Sequence, residues 1–336
     1  MNYRKIAVIG AGAVGSLVGG LLSKAGEDVI LIGRKAHVDA INRNGLLING
    51  ELGDIKVRIK AKEKLDFIPD LVLLAVKTQD VASALSESAD FIKGIPIVTM
   101  QNGVKSDEIT AGIAGRENII SCVVFFGSTY LEPGKITYSP KGSLAIGEAF
   151  GTNGNRIKKI KELLNKALPT FIVKDIQAVH WSKLIVNLIN CLPAVTGLSY
   201  RKIAENKELL KLLTLLIKEG FFVLHCSGIK ISSIPGVPVS LFKALFKLPF
   251  FITNILVKAM FSGMGNFEVI GSTLQSIRRG KTTEIDYLNG EIVNLGKNHN
   301  IPAPYNKAIL EAIHMVESGG KFFSPTELLS AVNPDI

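Results

Sequence analysis

The amino-acid sequence predicts an N-terminal α/β domain with a doubly wound parallel sheet, followed by an all-α domain. Short, almost wholly apolar runs alternate with helical stretches up to about residue 174. This pattern is typical of parallel strands that are buried on both faces. Beyond about residue 175 only long helical patterns follow. We therefore predict a first domain of residues 1–175 and a second of 176–336, each long enough to bury a core.

The elements follow from these patterns in chain order. In the first domain, strands are predicted at residues 5–9, 28–32, 71–76, 95–100, 119–126 and 135–147. A helix over residues 14–24 follows the first strand, and Gly26 ends it. In the second domain, helices are predicted at residues 180–190, 206–226, 239–261, 268–278, 284–298 and 305–317.

Composition excludes several classes of protein. Of the 336 residues, 47% are hydrophobic and 20% charged, which is globular composition. Lysines interrupt the most apolar stretches, residues 209–226 and 237–264, so we expect no membrane span. The apolar segment 235–265 has three interpretations, which are the lining of a larger pocket, a dimer face and core filling, and core filling is the default. Cys122, Cys191 and Cys226 lie far apart, which predicts neither a disulfide framework nor a metal site and suits the cytoplasm.

The net charge of +10 suits anionic small molecules. The chain has no block of Lys and Arg and no interleaving of basic with aromatic residues, so nucleic acid is not an expected partner. The apolar excess of the second domain leads us to expect a homodimer.

A glycine-rich motif joins the first predicted strand to the first helix. It consists of Gly10, Ala11, Gly12, Ala13, Val14 and Gly15. In a Rossmann domain the first glycine makes the tight turn, the second lets the backbone approach a pyrophosphate, and the third lets the helix pack on the strand. The pyrophosphate then lies at the positive end of that helix. Because the motif lies between a strand and a helix, it predicts a dinucleotide site.

The end of the second strand indicates which dinucleotide binds. NAD enzymes usually carry an acidic residue there for the ribose hydroxyls. This chain has Gly33, Arg34 and Lys35 instead. A guanidinium matches a phosphate through two parallel hydrogen bonds. We therefore expect Arg34, with help from Lys35, to bind the 2′-phosphate of NADP.

Later motifs resemble those of the ketopantoate reductases (2-dehydropantoate 2-reductases). The resemblance spans nearly the whole chain and rests on residues 10–15, 33–37, 76–78, 101–103, 181–184 with Asn187, and Ser272 with 283–290. It implies reduction of 2-dehydropantoate to pantoate with NADPH, on the way to pantothenate and coenzyme A.

The resemblance also implies roles for individual residues. Lys183 is the expected proton donor to the developing alkoxide, a task that a lysine performs by polarising the carbonyl and then releasing its proton. Glu284 accepts a hydrogen bond from the substrate hydroxyl. Lys77 and Asn102 each follow a strand, at the sheet edge where ligands bind, and contact the cofactor. Asn187, Asn190 and Ser272 are expected to bind the substrate.

One departure from the family pattern concerns the catalytic helix. Family members often place a second asparagine eight positions after the lysine, but here that position is Cys191 and the asparagine is Asn190. Either the helix contains a local irregularity or this contact differs. A reductase of another 2-keto acid therefore stays open as an alternative. A third alternative, a non-catalytic NADP-sensing regulatory protein, gives no physical reason to keep Lys183, Asn187, Ser272 and Glu284 together.

Overall fold

The computed structural model describes residues 3–262 and 271–332. The chain divides into two compact units, Met1–Gln177 and Ala178–Ile336. The described strands are β1 (Ile6–Ile9), β2 (Val29–Ile32), β3 (Leu46–Gly50), β4 (Ile55–Val57), β5 (Lys60–Lys62), β6 (Leu71–Leu74), β7 (Ile97–Thr99), β8 (Ile119–Val124), β9 (Ser128–Glu132), β10 (Lys135–Tyr138), β11 (Leu144–Glu148) and β12 (Thr170–Ile172).

The helices of the first unit alternate with its strands. They are α1 (Ala13–Lys24), α2 (Lys35–Asn44), α3 (Val81–Glu87), α4 (Ala89–Ile92), α5 (Ser106–Ala114) and α6 (Asn155–Asn165). Helix α7 (Ile176–Asn187) begins at the boundary between the units. The described helices that follow are α8 (Cys191–Thr196), α9 (Tyr200–Glu205), α10 (Lys207–Cys226), α11 (Val239–Lys247), α12 (Phe250–Ser262), α13 (Ser272–Arg278), α14 (Asn289–Asn298), α15 (Pro304–Gly319) and α16 (Pro325–Val332).

The main sheet of the first unit has eight strands in the order β12-β11-β8-β7-β6-β1-β2-β5. Every neighbouring pair is parallel except β8 with β11. The chain builds outward from β1 through β2 to β5, then crosses to β6 and builds the other way. The strand order therefore reverses between β1 and β6, which is where open α/β sheets bind ligands. This architecture confirms the predicted doubly wound Rossmann domain and all-α domain.

A second sheet, in the order β4-β3-β10-β9, was not predicted from the sequence. Its strands are short, and β3 and β9 are only partly buried, so they lack a continuous apolar run. The predicted strand over residues 135–147 is wrong as one element. It contains β10 of the small sheet and β11 of the main sheet, and Pro140 between them has no amide to donate to a ladder.

The long helix α10 lies at the core of the second unit and packs against α12, α14 and α15. Asn206 caps it, because its side chain accepts hydrogen bonds from the amides of Glu208 and Leu209. From the middle of α10, the carboxylate of Glu219 accepts hydrogen bonds from the first-turn amides of α15. Burial raises the pKa of that carboxyl.

The helices predicted over residues 239–261 and 268–278 differ from the structure. The helix over residues 239–261 is in fact α11 and α12. Leu248 between them is extended, because the residue before a proline is disfavoured in helical conformation. The helix predicted over 268–278 begins at Ser272 as α13, and residues 268–270 lie outside the described part of the chain.

One described helical run, Ile176–Thr196, has the length and mean hydropathy, 1.2, of a membrane span. Its apolar window is 72% buried within the protein. A core helix passes the same test, so this run carries little weight as evidence for a membrane.

Candidate dinucleotide and substrate sites

The glycine turn after β1 has three different environments. Gly10 has φ +102°, and a Cβ there would lie 2.4 Å from the amide nitrogen of Val76. A Cβ on Gly15 would lie 2.2 Å from the carbonyl oxygen of Gly10. At Gly12, by contrast, a Cβ would meet nothing within 4 Å. The first and third glycines are therefore needed by the fold, whereas the second leaves the backbone open to a ligand.

The start of helix α1 offers hydrogen-bond donors next to that opening. The first intrahelical bond runs from Ser16 N to Gly12 O at 3.0 Å, so the amides of Ala13, Val14 and Gly15 precede it. Such first-turn amides have no acceptor within their own helix and carry the positive end of its dipole. Backbone groups at this position suit a pyrophosphate, so the residues present fit a dinucleotide.

The neighbouring strand ends, after β6 and β7, are tied together. The side-chain amide of Gln101 donates to the carbonyls of Leu74 (2.9 Å) and Val76 (3.1 Å). The Thr78 hydroxyl donates to Asn102 O at 3.2 Å. These bonds hold Lys77 and Asn102, both half-buried, at the same sheet edge as the glycine turn. Residues 101–103 are one of the sequence motifs, but only the strand order shows that the Gln101 side chain bridges the two strand ends.

Arg34 and Lys35 have different surroundings at the start of α2. The Lys35 ammonium lies 3.3 Å from Asp39 and 3.7 Å from Glu63, and its hydrogen bond with Asp39 raises its pKa. Arg34 is exposed and forms no ion pair with any described residue. Of the two cations, Arg34 is therefore the one available to a phosphate.

In the second unit, the helix that carries Lys183 changes its winding. Helix α7 ends at Asn187, and residues Leu188–Asn190 form a 3₁₀ turn before α8. The backbone of Asn187 (ψ −16°) and Asn190 (ψ −15°) agrees with that tighter winding. The irregularity left open by the position of the second asparagine is therefore present.

The 3₁₀ turn changes which way Asn190 points around the helix axis. In a regular α-helix each residue turns about 100° around the axis. Measured from Lys183, the eighth position after it would then lie at about 80° and Asn190 at about −20°. Three residues at about 120° move Asn190 to about +40° instead, directly above Asn187. The angular difference between Asn190 and the eighth position after Lys183 in a regular helix therefore falls from about 100° to about 40°.

Asn190 is held in place by two neighbours. Its Oδ1 accepts a hydrogen bond from the buried hydroxyl of Tyr200. A Cβ on Gly271 would lie 2.6 Å from the same oxygen, so the backbone before Ser272 packs on this pair. Asn190 and the start of α13 are thus brought together, with Ser272 exposed beside them. Tyr200 carries no motif of its own in the sequence, so sequence reasoning missed it.

A buried polar chain lies behind Asn190. Burial raises the pKa of the Cys191 thiol to about 12, and Asn289 hydrogen-bonds to its sulfur. Asn289 Nδ2 donates to Asn306 Oδ1 at 2.9 Å, and Asn306 Nδ2 donates to Glu219 Oε1 at 2.8 Å. A neutral buried thiol is a poor nucleophile, so Cys191 is structural in this position.

Glu284 lies at the start of a short 3₁₀ turn, Ile285–Tyr287, which precedes α14. The helix predicted to begin at Glu284 therefore begins at Asn289 instead. Thr283 fixes the turn, since its hydroxyl accepts from Ile285 N at 3.1 Å and its own amide donates to Glu317 at 2.7 Å. Glu284 and Lys183 are both half-buried. No group of three or more His, Cys, Asp or Glu among the described residues could hold a metal ion.

The doubly wound sheet, its glycine turn and the helical unit define the class of dinucleotide-binding oxidoreductases with a helical second domain. Comparison with known proteins names the family. Residues 6–151 match "Ketopantoate reductase PanE/ApbA" and residues 175–317 match its C-terminal part. The chain belongs to this ketopantoate reductase family, and it is an oxidoreductase that uses a nicotinamide cofactor.

Individual relatives agree with the family match. The 2-dehydropantoate 2-reductase of Pyrococcus horikoshii is 33% identical over 319 residues, which are 94% of this chain and 98% of the relative. That of Pyrococcus abyssi is 35% identical over 305 residues, 90% of this chain and 94% of the relative. These matches confirm the resemblance seen in the sequence motifs.

Solved structures share the fold. A PanE/ApbA family ketopantoate reductase from Ralstonia eutropha JMP134 superposes with a TM-score of 0.81 at 27% identity, covering 94% of this chain and 98% of that one. D-mandelate dehydrogenase with NADH and anilino(oxo)acetate has a TM-score of 0.81 at 23% identity, with the same coverage. The second likeness concerns the fold alone.

Proposed function

We propose that this protein reduces 2-dehydropantoate to pantoate with NADPH, a step toward pantothenate and coenzyme A. The observation that carries the proposal is the match of both units to relatives named 2-dehydropantoate 2-reductase, over 94% of the chain. The retained Lys183, Asn187, Ser272 and Glu284 support it, because each has a chemical task in a keto-acid reduction.

In this proposal the first domain, residues 1–175, holds the coenzyme. The amides of Ala13, Val14 and Gly15 bind the pyrophosphate, and the open backbone at Gly12 lets it approach. Arg34 binds the 2′-phosphate, since Lys35 is already paired with two carboxylates. Lys77 and Asn102 contact the rest of the coenzyme from the neighbouring strand ends. When bound, NADPH supplies the hydride.

The second domain, residues 176–336, provides the remaining chemistry. Lys183 polarises the keto group and gives its proton to the oxygen that becomes the product hydroxyl. Glu284 accepts a hydrogen bond from the substrate hydroxyl. Asn187, Asn190 and Ser272 bind the polar groups of the substrate, with Asn190 turned above Asn187 by the 3₁₀ turn.

A second candidate is reduction of another 2-keto acid by the same residues. The observation that favours it is the contact of Tyr200 with Asn190, because that hydroxyl occupies an acceptor that would otherwise face the substrate. A non-catalytic NADP sensor is the third candidate. It predicts coenzyme binding without turnover.

The test is the rate of coenzyme oxidation by purified protein at 340 nm. NADPH with 2-dehydropantoate is compared with a panel of other 2-keto acids and with NADH. The proposal expects 2-dehydropantoate with NADPH to give the highest kcat/KM. A higher value on another keto acid would favour the second candidate, and tight NADPH binding with no turnover on any acid would favour the sensor.

Two further proposals concern the setting of the enzyme. We expect a homodimer formed through the second domain, which sedimentation velocity at micromolar concentration would test. A single monomeric species across that range would contradict it. We also expect the protein to act in the cytoplasm, which fractionation of its host cell would test.

A further inference from the structure

His37 is a buried imidazole that connects three elements of the first unit. It is 2% exposed. Its Nδ1 lies 2.9 Å from the amide nitrogen of Gly134, in the turn between β9 and β10, and its Nε2 lies 3.0 Å from the hydroxyl oxygen of Ser16. The ring of Tyr130 packs against it with centroids 4.9 Å apart.

The hydrogen bonds define the form of the ring. A backbone amide can only donate, so Nδ1 is the acceptor and carries no proton. The proton of the neutral ring is then on Nε2, which donates to the Ser16 oxygen. Burial lowers the pKa of His37 to about 4, which keeps the ring neutral at physiological pH. A neutral, buried ring is not itself a phosphate ligand.

The two ends of this connection lie beside the two phosphate-binding features proposed above. Ser16 directly follows the amides of Ala13, Val14 and Gly15 in the first turn of α1. On the other side, the amide of His37 donates to the carbonyl of Arg34 at 3.0 Å, in the first turn of α2. A single side chain therefore links the start of α1 to the start of α2.

We propose that His37 is a positioning residue that sets the separation between the α1 amides and Arg34, and so determines the preference for a 2′-phosphorylated dinucleotide. This inference rests on the proposed use of NADPH. The pyrophosphate and the 2′-phosphate belong to one ligand, so their separation is limited by covalent structure. A bidentate guanidinium contact depends on direction, so a shift of α2 relative to α1 weakens it.

NADH has no 2′-phosphate and makes no such contact. A loosened connection should therefore weaken NADPH binding more than NADH binding. A histidine that merely fills the core would affect both coenzymes equally, since both need the same pyrophosphate site.

The same helix offers a matched control. Asn42, in the last turn of α2, exchanges two hydrogen bonds with the backbone of Ala61 in β5, at 2.9 and 3.0 Å. Loss of the Asn42 side chain also weakens the attachment of α2, but to β5 rather than to α1. Asn42→Ala thus measures the effect of a less stable helix without breaking the link to Ser16.

The experiment measures the dissociation constants of NADPH and NADH by titration calorimetry for the wild type and four variants. The variants are His37→Asn, Ser16→Ala, the double variant and Asn42→Ala. His37→Asn leaves an amide oxygen near Gly134 but does not reach Ser16. Each of the first two is expected to lower the ratio of NADPH to NADH affinity about fivefold to tenfold. The double variant should lower it no further, because both changes break one link.

Asn42→Ala is expected to change the ratio less than twofold while lowering the thermal unfolding midpoint. The inference is overturned if the His37 and Ser16 variants weaken both coenzymes by the same factor, or if Asn42→Ala changes the ratio as much as they do. If His37→Asn does not fold, Ser16→Ala alone decides. A wild type without preference for NADPH would overturn the proposed coenzyme as well, which separates the two failures.

Discussion

In the proposed sites, the first unit offers backbone amides at the start of a helix together with a few side chains at strand ends, whereas the second unit offers side chains alone. In the first, Gly12 leaves the backbone accessible. The first-turn amides of α1 have no acceptor within the helix, because every α-helix begins in this way. In the second, Lys183, Asn187 and Asn190 lie on one helix face through their spacing, and the change of winding after Asn187 sets the direction of Asn190 on that face. Backbone sites thus follow from the fold, while side-chain sites depend on local winding.

The largest expected effect separates the tasks of the two units. Lys183→Ala should lower kcat by about 10²–10⁴-fold, which is the usual contribution of a positioned proton donor. The dissociation constant for NADPH should change less than threefold, because the groups proposed to bind it are in the first unit. Steady-state kinetics and calorimetry on the same preparation check both values. A comparable loss of NADPH affinity would contradict the division of tasks.

Two glycines of one motif separate folding from binding. Gly15→Ala places a Cβ 2.2 Å from a backbone oxygen and should lower the free energy of unfolding by about 2–3 kcal/mol. Gly12→Ala meets no atom within 4 Å and should cost less than about 1 kcal/mol. It should nevertheless weaken the binding of NADPH and NADH at least tenfold. Urea unfolding and coenzyme titration test the pair, and equal stability losses would argue against these roles.

Acidification should lower the stability of the first unit and raise that of the second. His37 has an ordinary pKa of 6.5 and a folded pKa of about 4, so between these values the unfolded chain binds the extra proton. Stability from this residue is complete above pH 6.5 and falls by about 3 kcal/mol by pH 4. Glu219 in the second unit has a raised pKa, so acidification toward its ordinary value of 4.5 favours the folded form there.

Hydrogen exchange at pH 7 and pH 5, corrected for intrinsic rates, measures this difference peptide by peptide. Peptides from α1 and α2 should lose protection at pH 5 relative to those from α10 and α15. His37→Gln should reduce the pH dependence of the first unit, and Glu219→Gln that of the second. Equal loss of protection in both units would show that neither His37 nor Glu219 dominates the pH dependence of its unit.

The smallest expected effect concerns the asparagine brought into place by the 3₁₀ turn. Asn190→Ala should raise KM for the keto acid about tenfold, the value of one lost hydrogen bond to a charged group, and leave NADPH affinity unchanged. Cys191→Ala, one residue away, should change KM less than threefold because that side chain is buried and cannot reach a substrate. The reverse order would place the family position, not Asn190, in contact with substrate.

The accuracy of the sequence-based predictions also differs between features set by the backbone and features set by local winding and side chains. The buried strands β1, β2, β6, β7 and β8 and the glycine turn were predicted because continuous apolar runs and glycine spacing reflect backbone requirements. The short edge strands β5 and β12 of the same sheet were not predicted. The small sheet was missed because β3 and β9 are partly exposed and short. Helices 239–261 and 284–298 were predicted as single elements, although Pro249 and the turn at Ile285–Tyr287 break them. Apolar periodicity does not report such local changes.

Among the site residues, those that touch only in three dimensions were the hardest to assign. His37 was part of a recognised stretch, but its partners Ser16 and Gly134 lie 21 and 97 positions away. Tyr200 meets Asn190 only because α9 packs against α8 after Gly197 ends α8 in the left-handed conformation. Sequence spacing contains no information about either contact.

The turn at Leu188–Asn190 also bears on how members of this family are compared with one another. A column in a sequence alignment assumes that equal positions have equal directions. Here three residues of 3₁₀ winding reduce the angular offset of Asn190 from the eighth position of a regular helix from about 100° to about 40°, so Cys191 at that position overstates the change in direction of the asparagine.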